Sequence, residues 1–268
     1  MNSIEFKNKL HSGELVVGTN ILSPSPLWPK FIMNCGLDFV FIDTEHCSLD
    51  RNQTSWMCRT YSAMGLPSLV RIKSPDHYDA TAALDDGANG IIYPYVEDCE
   101  QVMSLLGATK YRPLKGKYLI DVLNYNKKIN EKLKKYINEF NQNNILILNI
   151  ESVPAIDNLD AILDINQIDA VQIGPHDLTS SMGIPEDYEN KKYLKNIEII
   201  FNKARKKNIG AGIHSIYGNL KYQNRLIDLG ANMIIYKADA LIFSEELKYT
   251  LTKLKDFDID YNDNTTII

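Results

Sequence analysis

Two carboxylates, Glu151 and Asp177, each follow an apolar run of sequence and are the first candidates for chemistry. Residues 145–150 precede Glu151, and residues 170–173 precede a Gly-Pro pair and then Asp177. A helix-like segment separates the two runs, so this stretch is typical of a strand, helix, strand unit. Such a unit favours parallel pairing, which places both strand ends at one face of the sheet. Two acids at one rim indicate a site for a cation.

Other polar residues also end apolar runs: Asp43, Glu45 and His46 follow FVFI, Arg71 ends SLVR, and His214 ends a later run. Carboxylates without a cysteine cluster suit Mg²⁺ or Mn²⁺, and also Co²⁺, and a 2-oxo acid would chelate such an ion. Bond breaking at the third carbon of that acid passes through a metal-bound enolate, which needs a fixed cation beside it. Arg71 is the candidate cation, and His46, oriented by Asp43, is the candidate general base. The set predicts reversible aldol cleavage.

Composition limits the class of protein. The chain has 268 residues, of which 44% are hydrophobic and 24% charged, so a single domain over residues 1–268 is expected. A formal net charge of -5 offers no basic stripe for nucleic acid, and no apolar run is long enough to span a bilayer. The first residues lack the apolar core of a secretory signal, and the four cysteines show no C-x-x-C spacing. We expect a cytoplasmic protein without nucleic-acid or membrane partners.

Eight apolar runs alternate with helix-like segments along the chain. Strands are predicted at residues 14–22, 37–46, 68–72, 90–96, 145–150, 170–173, 208–215 and 231–239. Their near-continuous hydrophobicity is typical of strands buried on both faces, as in a closed (β/α)8 or TIM barrel. A doubly wound sheet is disfavoured because NILSPSPLW, after the first strand, carries no Gly-rich phosphate motif. In a barrel, the polar strand ends meet at one mouth.

Two regions depart from this alternation. Residues 112–144 form a longer connection that includes the charged amphipathic segment KKINEKLKKYINEF, so an insertion is expected there. A final helix at 243–254 precedes a polar tail at 256–268. The final helix is expected to complete the outer ring of the barrel. Its apolar face at Leu247, Leu251 and Leu254 also predicts packing on another subunit.

Five sequence blocks carry a resemblance to a known family: FVFIDTEH, VRI, LDDGANGIIYPYV, LNIES and QIGPHDLTSSMG. In this order they resemble the metal-dependent pyruvate aldolases of the HpcH/HpaI family, over residues 14–254. The resemblance implies a (β/α)8 barrel of the phosphoenolpyruvate/pyruvate-domain type that assembles as a hexamer or trimer of dimers. It also implies functional residues, namely the metal ligands Glu151 and Asp177, the enolate-stabilising Arg71, the base His46, and the supporting acids Asp43 and Asp85.

Departures from the family pattern affect the substrate-binding residues. Family members usually carry an Arg-Gly pair after the fourth helix, whereas Lys117 and Tyr118 stand nearest to that place here. His176 precedes the metal-binding aspartate where a small residue is common, and Asn149 replaces a frequent glutamine. His214 adds an imidazole that is expected to face the aldehyde half of the substrate. The predicted substrate-binding set is Asn149, Gly174, Pro175, His176 and His214.

Three other functions stay open. An acyl-CoA ester lyase of the citrate lyase beta or malyl-CoA type would need a basic groove, for which residues 110–117 with Lys127 and Lys128 are the candidates. A metal-free aldolase would form a Schiff base through Lys237. A barrel without catalysis would act in binding or assembly, which the acid, base and arginine set disfavours.

Each residue assignment also has a structural alternative. The two carboxylates could cap helices or form ion pairs, and Arg71 and His46 could be structural partners of Glu45. Asp85 could be a surface acid at a helix end. The position of the acids, Arg71 and His46 at strand ends favours the catalytic interpretation.

Overall fold

The computed structural model describes residues 1–255, in which eight parallel strands close into a barrel. The strands are β1 (Val16–Asn20), β2 (Phe39–Asp43), β3 (Ser68–Arg71), β4 (Gly90–Tyr93), β5 (Ile145–Asn149), β6 (Ala170–Ile173), β7 (Gly210–Ser215) and β8 (Met233–Ala238). Each strand pairs with its neighbour in the chain, and β8 closes the barrel by pairing with β1. The predicted (β/α)8 barrel is confirmed.

Helices connect the strands on the outside of the barrel. They are α1 (Ser3–Ser12), α2 (Trp28–Ile32), α3 (Arg51–Ala63), α4 (His77–Asp85), α5 (Cys99–Lys110), α6 (Gly116–Leu123), α7 (Glu131–Asn141), α8 (Val153–Asp157), α9 (Leu159–Leu163), α10 (Pro175–Ser181), α11 (Lys191–Lys206), α12 (Leu220–Asp228) and α13 (Asp239–Lys255). None of the helices described has both the length and the apolar character needed to cross a membrane.

The interior of the barrel is apolar at the N-terminal end of the strands and polar at the C-terminal end. Phe6 and Leu10 of α1 close the apolar end and pack with inward residues of the strands. Phe6 and Phe39 lie with ring centroids 5.1 Å apart. Because side chains alternate along a strand, the next inward positions lie at the opposite end, the mouth of the barrel. These mouth positions are polar: Asn20, Asp43, Arg71, Asn149, Gln172 and His214.

The predicted insertion at 112–144 contains α6 and α7. The sequence of α6 shows no clear hydrophobic periodicity. In the structure, however, Leu119 and Leu123 both pack on α5 beside Gly107. The segment lies at the N-terminal end of the barrel. Lys110, at the end of α5, donates to the carbonyl of Asn144 at 2.7 Å and pairs with Asp169 at 2.5 Å. Asn144 immediately precedes β5, and Asp169 immediately precedes β6. The insertion is therefore remote from the mouth of its own barrel.

The last helix, α13, departs from the expectation that it completes the outer ring. Within the described residues, Asp239 is the one buried residue of this helix. Leu247 is 45% exposed and Leu254 is 75% exposed, whereas Leu251 is half-buried, so most of its apolar face has no cover from its own barrel. The predicted polar tail at 256–268 lies outside the described residues.

Candidate active site

The end of β2 is fixed against the end of β3 by a buried ion pair. Nε of Arg71 donates to Oδ1 of Asp43 at 2.9 Å, and Nη2 donates to Oδ2 at 2.5 Å. Thr44 adds a hydrogen bond from Oγ1 to the carbonyl of Arg71 at 2.7 Å. Burial opposes ionisation of Asp43, but the hydrogen bonds and charge of Arg71 hold its pKa below the ordinary value. Asp43 therefore holds the guanidinium in a fixed orientation at the mouth.

Glu45 and His46 follow this ion pair. The backbone N–H of Glu45 donates to Oδ1 of Asp43 at 3.0 Å, which turns the chain over the mouth. Oε2 of Glu45 lies 3.1 Å from Nε of Arg71 and 3.6 Å from Nε2 of His46. Burial raises the pKa of Glu45 to about 7 against the opposing charge of Arg71. A carboxyl group with such a pKa can exchange protons with an imidazole at neutral pH.

The structure shows no hydrogen bond through which Asp43 could orient His46 as predicted. Both oxygens of Asp43 are directed to Arg71, and the carboxylate next to His46 is that of Glu45. Glu45 was absent from the predicted catalytic set, although its position two residues after Asp43 at a strand end was a signal. The ion pair between Arg71 and Glu45, which was the structural alternative for Arg71, is also present.

Glu151 lies buried at the end of β5 with both oxygens hydrogen-bonded. Its Oε1 accepts the backbone N–H of Tyr95 at 2.7 Å, and its Oε2 accepts Nδ2 of Asn149 at 3.0 Å. Tyr95 has a φ of 53°, a left-handed conformation that turns its N–H towards the carboxylate. Burial, with the nearby charge of Asp177, raises the pKa of Glu151 to about 7. Asn149, which was predicted to bind substrate, orients Glu151 through its amide N–H in this structure.

Gly174 leaves a gap between the two predicted metal ligands. A Cβ atom at this position would clash with Oε2 of Glu151 and would lie 3.5 Å from Oδ2 of Asp177. Two carboxylates that lie close to one backbone position suit a hard divalent cation. In residues 1–255, no group of three His, Cys, Asp or Glu side chains surrounds a common point. The residues fit an ion that takes two protein ligands and completes its shell with water and substrate oxygens.

A cavity of about 280 Å³ opens beside these groups at the mouth of the barrel. It is lined by most of the predicted site residues, namely His46, Arg71, Gly174, Pro175, His176, Asp177 and His214. A second cavity of about 220 Å³ adjoins it and shares His46, His214 and Ile216. The structure thus brings together residues from four strand ends, as predicted from the barrel topology.

Asp85 is the predicted site residue that this barrel does not bring to the mouth. It is the last residue of α4, which returns from the end of β3 to the opposite end of the barrel. Its carboxylate pairs with Arg112 and its side chain is 58% exposed. Within a single chain, Asp85 occupies the helix-end surface position that was the structural alternative.

Two buried polar residues of the cavities were absent from the predicted set. Gln172 lines the first cavity and Asn20 lines the second, and both are almost fully buried. In the part of the chain described, Oε1 of Gln172 and Oδ1 of Asn20 have no hydrogen-bond partner. The sequence did carry a signal for Gln172, because it is a polar residue in the apolar run DAVQIGP, two positions before Gly174.

Lys237 does not lie in the site. Its Nζ atom pairs with Oε2 of Glu245 on α13. The described residues that line the two cavities include no lysine. The geometry therefore gives no support to a Schiff-base aldolase that uses this residue.

The comparisons with known proteins agree with this geometry. The sequence profile of the HpcH/HpaI aldolase/citrate lyase family matches residues 22–244. The chain belongs to this family. A 2-keto-3-deoxy-L-rhamnonate aldolase from Escherichia coli (strain K12) is 26% identical over 250 residues, which cover 93% of this chain and 92% of the relative. The family and this relative are aldolases and lyases, so the protein is a carbon–carbon lyase.

Solved structures of the family share the fold. An HpcH/HpaI aldolase from Desulfitobacterium hafniense DCB-2 has a TM-score of 0.80 and 25% identity, covering 94% of this chain and 96% of that one. The citrate synthase SbnG has a TM-score of 0.76 and also 25% identity, covering 93% and 97% of the two chains. Because an aldolase and a citrate synthase are each 25% identical to the chain, family membership alone does not identify the substrate.

Proposed function

We propose that the protein is a divalent-metal-dependent aldolase that reversibly cleaves a 4-hydroxy-2-oxo acid to pyruvate, or a related 2-oxo acid, and an aldehyde. The observation that carries the proposal is the placement of Arg71, His46 and Asp177 around one cavity, with Glu151 behind Gly174. Arg71 is the cation that would stabilise an enolate, and His46 is the base for a hydroxyl group. Glu151 and Asp177 would supply carboxylate oxygens as metal ligands. The E. coli relative is likewise named for a 2-keto acid.

In this proposal Glu151 and Asp177 would hold the metal ion, Mg²⁺ or Mn²⁺. The bound ion would supply Lewis acidity to the 2-keto oxygen of the substrate. Asn149 and the N–H of Tyr95 keep the carboxylate of Glu151 in place. Oxygen-preferring ligands and the nearby cavity support a hard cation here.

Arg71 stabilises the enolate. Nε and Nη2 are engaged by Asp43 and Glu45, whereas Nη1 has no hydrogen-bond partner among residues 1–255. Arg71 lines the first cavity, so Nη1 is the nitrogen that remains for a substrate oxygen. A charged donor that is already fixed in place costs no reorganisation when negative charge develops on that oxygen.

His46 handles the proton. During cleavage its imidazole accepts the proton of the C4 hydroxyl group, the C3–C4 bond breaks, and the aldehyde leaves. The electron pair of that bond forms the enolate, which takes a proton from solvent at C3 to give pyruvate, and His46 releases the hydroxyl proton to solvent. Glu45 lies 3.6 Å from His46 and stabilises the imidazolium in between.

An acyl-CoA ester lyase is the second candidate, but its anchoring groove is not at the mouth. The basic run begins at Lys110, whose charge is used by buried Asp169 at the N-terminal end of the barrel. Lys127 lies over the ring of Tyr118 at 4.1 Å, in the insertion at the same end. Within one chain, these residues do not reach a CoA group bound at the mouth.

The direct test is pyruvate release from a panel of 4-hydroxy-2-oxo acids. We expect turnover of at least one member with Mg²⁺, Mn²⁺ or Co²⁺, loss of turnover in excess EDTA, and recovery when the metal is returned. Full activity in EDTA, or trapping of pyruvate on the protein by borohydride, would contradict the proposal. Turnover of acyl-CoA esters alone would favour the second candidate.

We also propose a homo-oligomer, a hexamer or trimer of dimers, in which α13 packs on another copy of the chain. The uncovered apolar face of α13, with Leu247 and Leu254 exposed, supports this assembly. Light scattering should give a mass that is a multiple of the chain mass. Leu247→Glu together with Leu254→Glu should reduce that mass, whereas Leu220→Glu, at an exposed site on α12, should not. A monomeric wild-type protein at working concentration would refute the proposal.

A further inference from the structure

The β7 loop, residues 216–219 between β7 and α12, borders both cavities. Ile216 and Tyr217 line the first cavity, and Ile216 also lines the second one. Because these residues form part of the cavity wall, the contacts that hold the loop also set the width of the mouth on this side.

The backbone of the β7 loop is held at the carbonyl group of Tyr217. This oxygen accepts hydrogen bonds from Oγ of Ser215 and from Nε2 of Gln223, each at 3.1 Å. Gly218 follows with a φ of 86°, and a Cβ atom there would clash with the ring of Tyr222. Glycine therefore allows a tight turn directly after Tyr217. These bonds fix the backbone, whereas the side chain of Tyr217 is placed by a separate contact.

The ring of Tyr217 stacks on the ring of Tyr188. Their centroids lie 4.5 Å apart and their planes are inclined by 22°. Tyr188 belongs to the connection between α10 and α11, and its ring also meets the fully buried Tyr193 of α11 edge-on, at 6.2 Å between centroids. Such aromatic pairs contribute more than the burial of their area alone. The stack therefore attaches the β7 loop to the connection that follows α10.

This connection belongs to another wall of the first cavity. α10 begins at Pro175, and His176 and Asp177 in its first turn line the cavity. The connection folds back on α10, because the N–H of Ile184 donates to the carbonyl of Thr179 at 2.9 Å. The two stacked tyrosines therefore join a wall that carries a proposed metal ligand to the wall that follows the next strand.

The rings, and not the hydroxyl groups, make this contact. Oη of Tyr188 is buried and has no hydrogen-bond partner of standard geometry among residues 1–255, and the same holds for Oη of Tyr193. Phenylalanine at position 188 would therefore keep the stack on Tyr217. Leucine has no aromatic face and would lose it.

We propose that Tyr188 is a positioning residue, which acts through Tyr217 to hold the β7 loop in place at the edge of the first cavity. Arg71 and Glu151 have hydrogen-bond partners elsewhere at the mouth, so they stay in place without the stack. Loss of the stack should therefore weaken retention of the substrate and leave the chemical step nearly unchanged. The kinetic part of this inference rests on the proposed aldolase function, whereas the contact itself is measurable without any substrate.

The first measurement is hydrogen–deuterium exchange of backbone amides in the whole protein without substrate. The N–H groups of Tyr222 and Gln223 are bonded to Asn219 at the start of α12, so they report whether the loop stays in place. Tyr188→Leu should speed exchange in a peptide that covers residues 215–223 by about tenfold, the upper end for one aromatic pair. Tyr188→Phe should exchange as the wild type does.

The second measurement is exchange of the methyl protons of pyruvate in D₂O by the metal-loaded enzyme. Tyr188→Leu should raise the KM for pyruvate by about three- to tenfold and change kcat by less than about twofold, the pattern of a loss in binding alone. Tyr188→Phe should restore both constants. Tyr136→Leu is the matched control, because it breaks a pair with Phe140 on α7, at 5.9 Å between centroids, remote from the mouth. It should change neither measurement.

The outcomes separate this inference from the proposed function. If the wild type exchanges no pyruvate protons with any metal, the aldolase function is wrong, and amide exchange still decides the contact between the loops. Unchanged amide exchange in folded Tyr188→Leu would overturn the inference. Faster amide exchange without a higher KM, or a fall in kcat alone, would also overturn it, because Tyr188 would then not act on retention.

Two further variants keep the test decisive. A Tyr188→Phe protein that behaves like Tyr188→Leu would refute the role assigned to the stacked rings. If Tyr188→Leu does not fold, Tyr217→Leu removes the same stack from its other partner and should give the same faster amide exchange. Wild-type exchange rates in folded Tyr217→Leu would contradict the inference.

Discussion

Replacing Arg71 with alanine should slow every reaction that passes through the enolate by on the order of 10²-fold or more, the size seen when one preorganised donor is removed. The reason is that Nη1 of Arg71 is the one guanidinium nitrogen left for the substrate once Asp43 and Glu45 have engaged the others. The measurements are aldol cleavage, exchange of pyruvate methyl protons and decarboxylation of oxaloacetate, each at saturating metal.

Folding must be followed in the same experiment. Removing one partner of a buried ion pair typically costs about 3–5 kcal/mol, and Asp43 would lose its cation in Arg71→Ala. Arg71→Lys keeps the charge, so it should fold better, but it should not restore full activity because an ammonium group lacks the planar fork that Asp43 and the substrate share. Full activity of the lysine variant would show that charge alone suffices at this position.

His46 should affect a different subset of the same reactions. Because it moves only the hydroxyl proton, His46→Ala should cripple aldol cleavage and leave oxaloacetate decarboxylation comparatively intact. His46 is a third exposed and its partner Glu45 remains, so the substitution opens no large buried gap. If both reactions fall equally, the division of labour between Arg71 and His46 is wrong, and His46 has a structural role.

The second large effect is expected from Glu151→Gln, which should weaken binding of Mn²⁺ by about 100-fold or more and abolish cleavage at ordinary metal concentrations. This exceeds the 10- to 100-fold loss typical for a residue that only orients a ligand, because Glu151 is proposed to be a ligand itself. Titration calorimetry with the metal alone gives the affinity without any activity measurement.

The glutamine variant is expected to fold. Its amide oxygen can accept the N–H of Tyr95, and Asn149 can rotate its amide to accept the new NH₂ group, since its own Oδ1 has no partner in the described chain. Glu198→Gln, on the surface of α11, is the matched control and should bind metal as the wild type does. Unchanged Mn²⁺ affinity in Glu151→Gln would remove Glu151 from the metal site.

The positions of the strands and the convergence of their ends could be predicted from the sequence, because they depend on hydrophobic periodicity and on barrel topology. Buried parallel strands are continuous apolar runs, and a barrel places their C-terminal ends together, so the convergence of Arg71, Asp177 and His214 on one cavity needed no coordinates. The position of Asp85 away from the mouth could also have been predicted from the topology. It ends a helix that starts at the mouth and returns to the other end, which is incompatible with a place beside Arg71 in the same barrel.

What could not be predicted depends on side-chain directions within a turn. Whether Asp43 or Glu45 faces His46 is decided by the bond from the N–H of Glu45 to Asp43, which fixes the turn after β2. At the start of α3, both Ser48 and Asp50 are residue types that cap helices, and the structure uses Asp50, which forms a reciprocal capping box with Gln53 at 2.8 and 2.9 Å. Two competing caps within three residues cannot be ranked without knowing the path of the loop.

The polar mouth above an apolar barrel interior has a consequence for engineering. Substituting Asn20 or Gln172 breaks no side-chain hydrogen bond at the buried oxygen, since neither oxygen has a partner within residues 1–255. The apolar interior does not allow such changes. Gly18 packs directly against Phe39 and Gly212 packs against Met233, so a side chain at either glycine would clash. Randomising positions 20 and 172 therefore explores new acceptors while the interior that keeps the enzyme folded stays untouched, which makes the mouth the place to begin directed evolution.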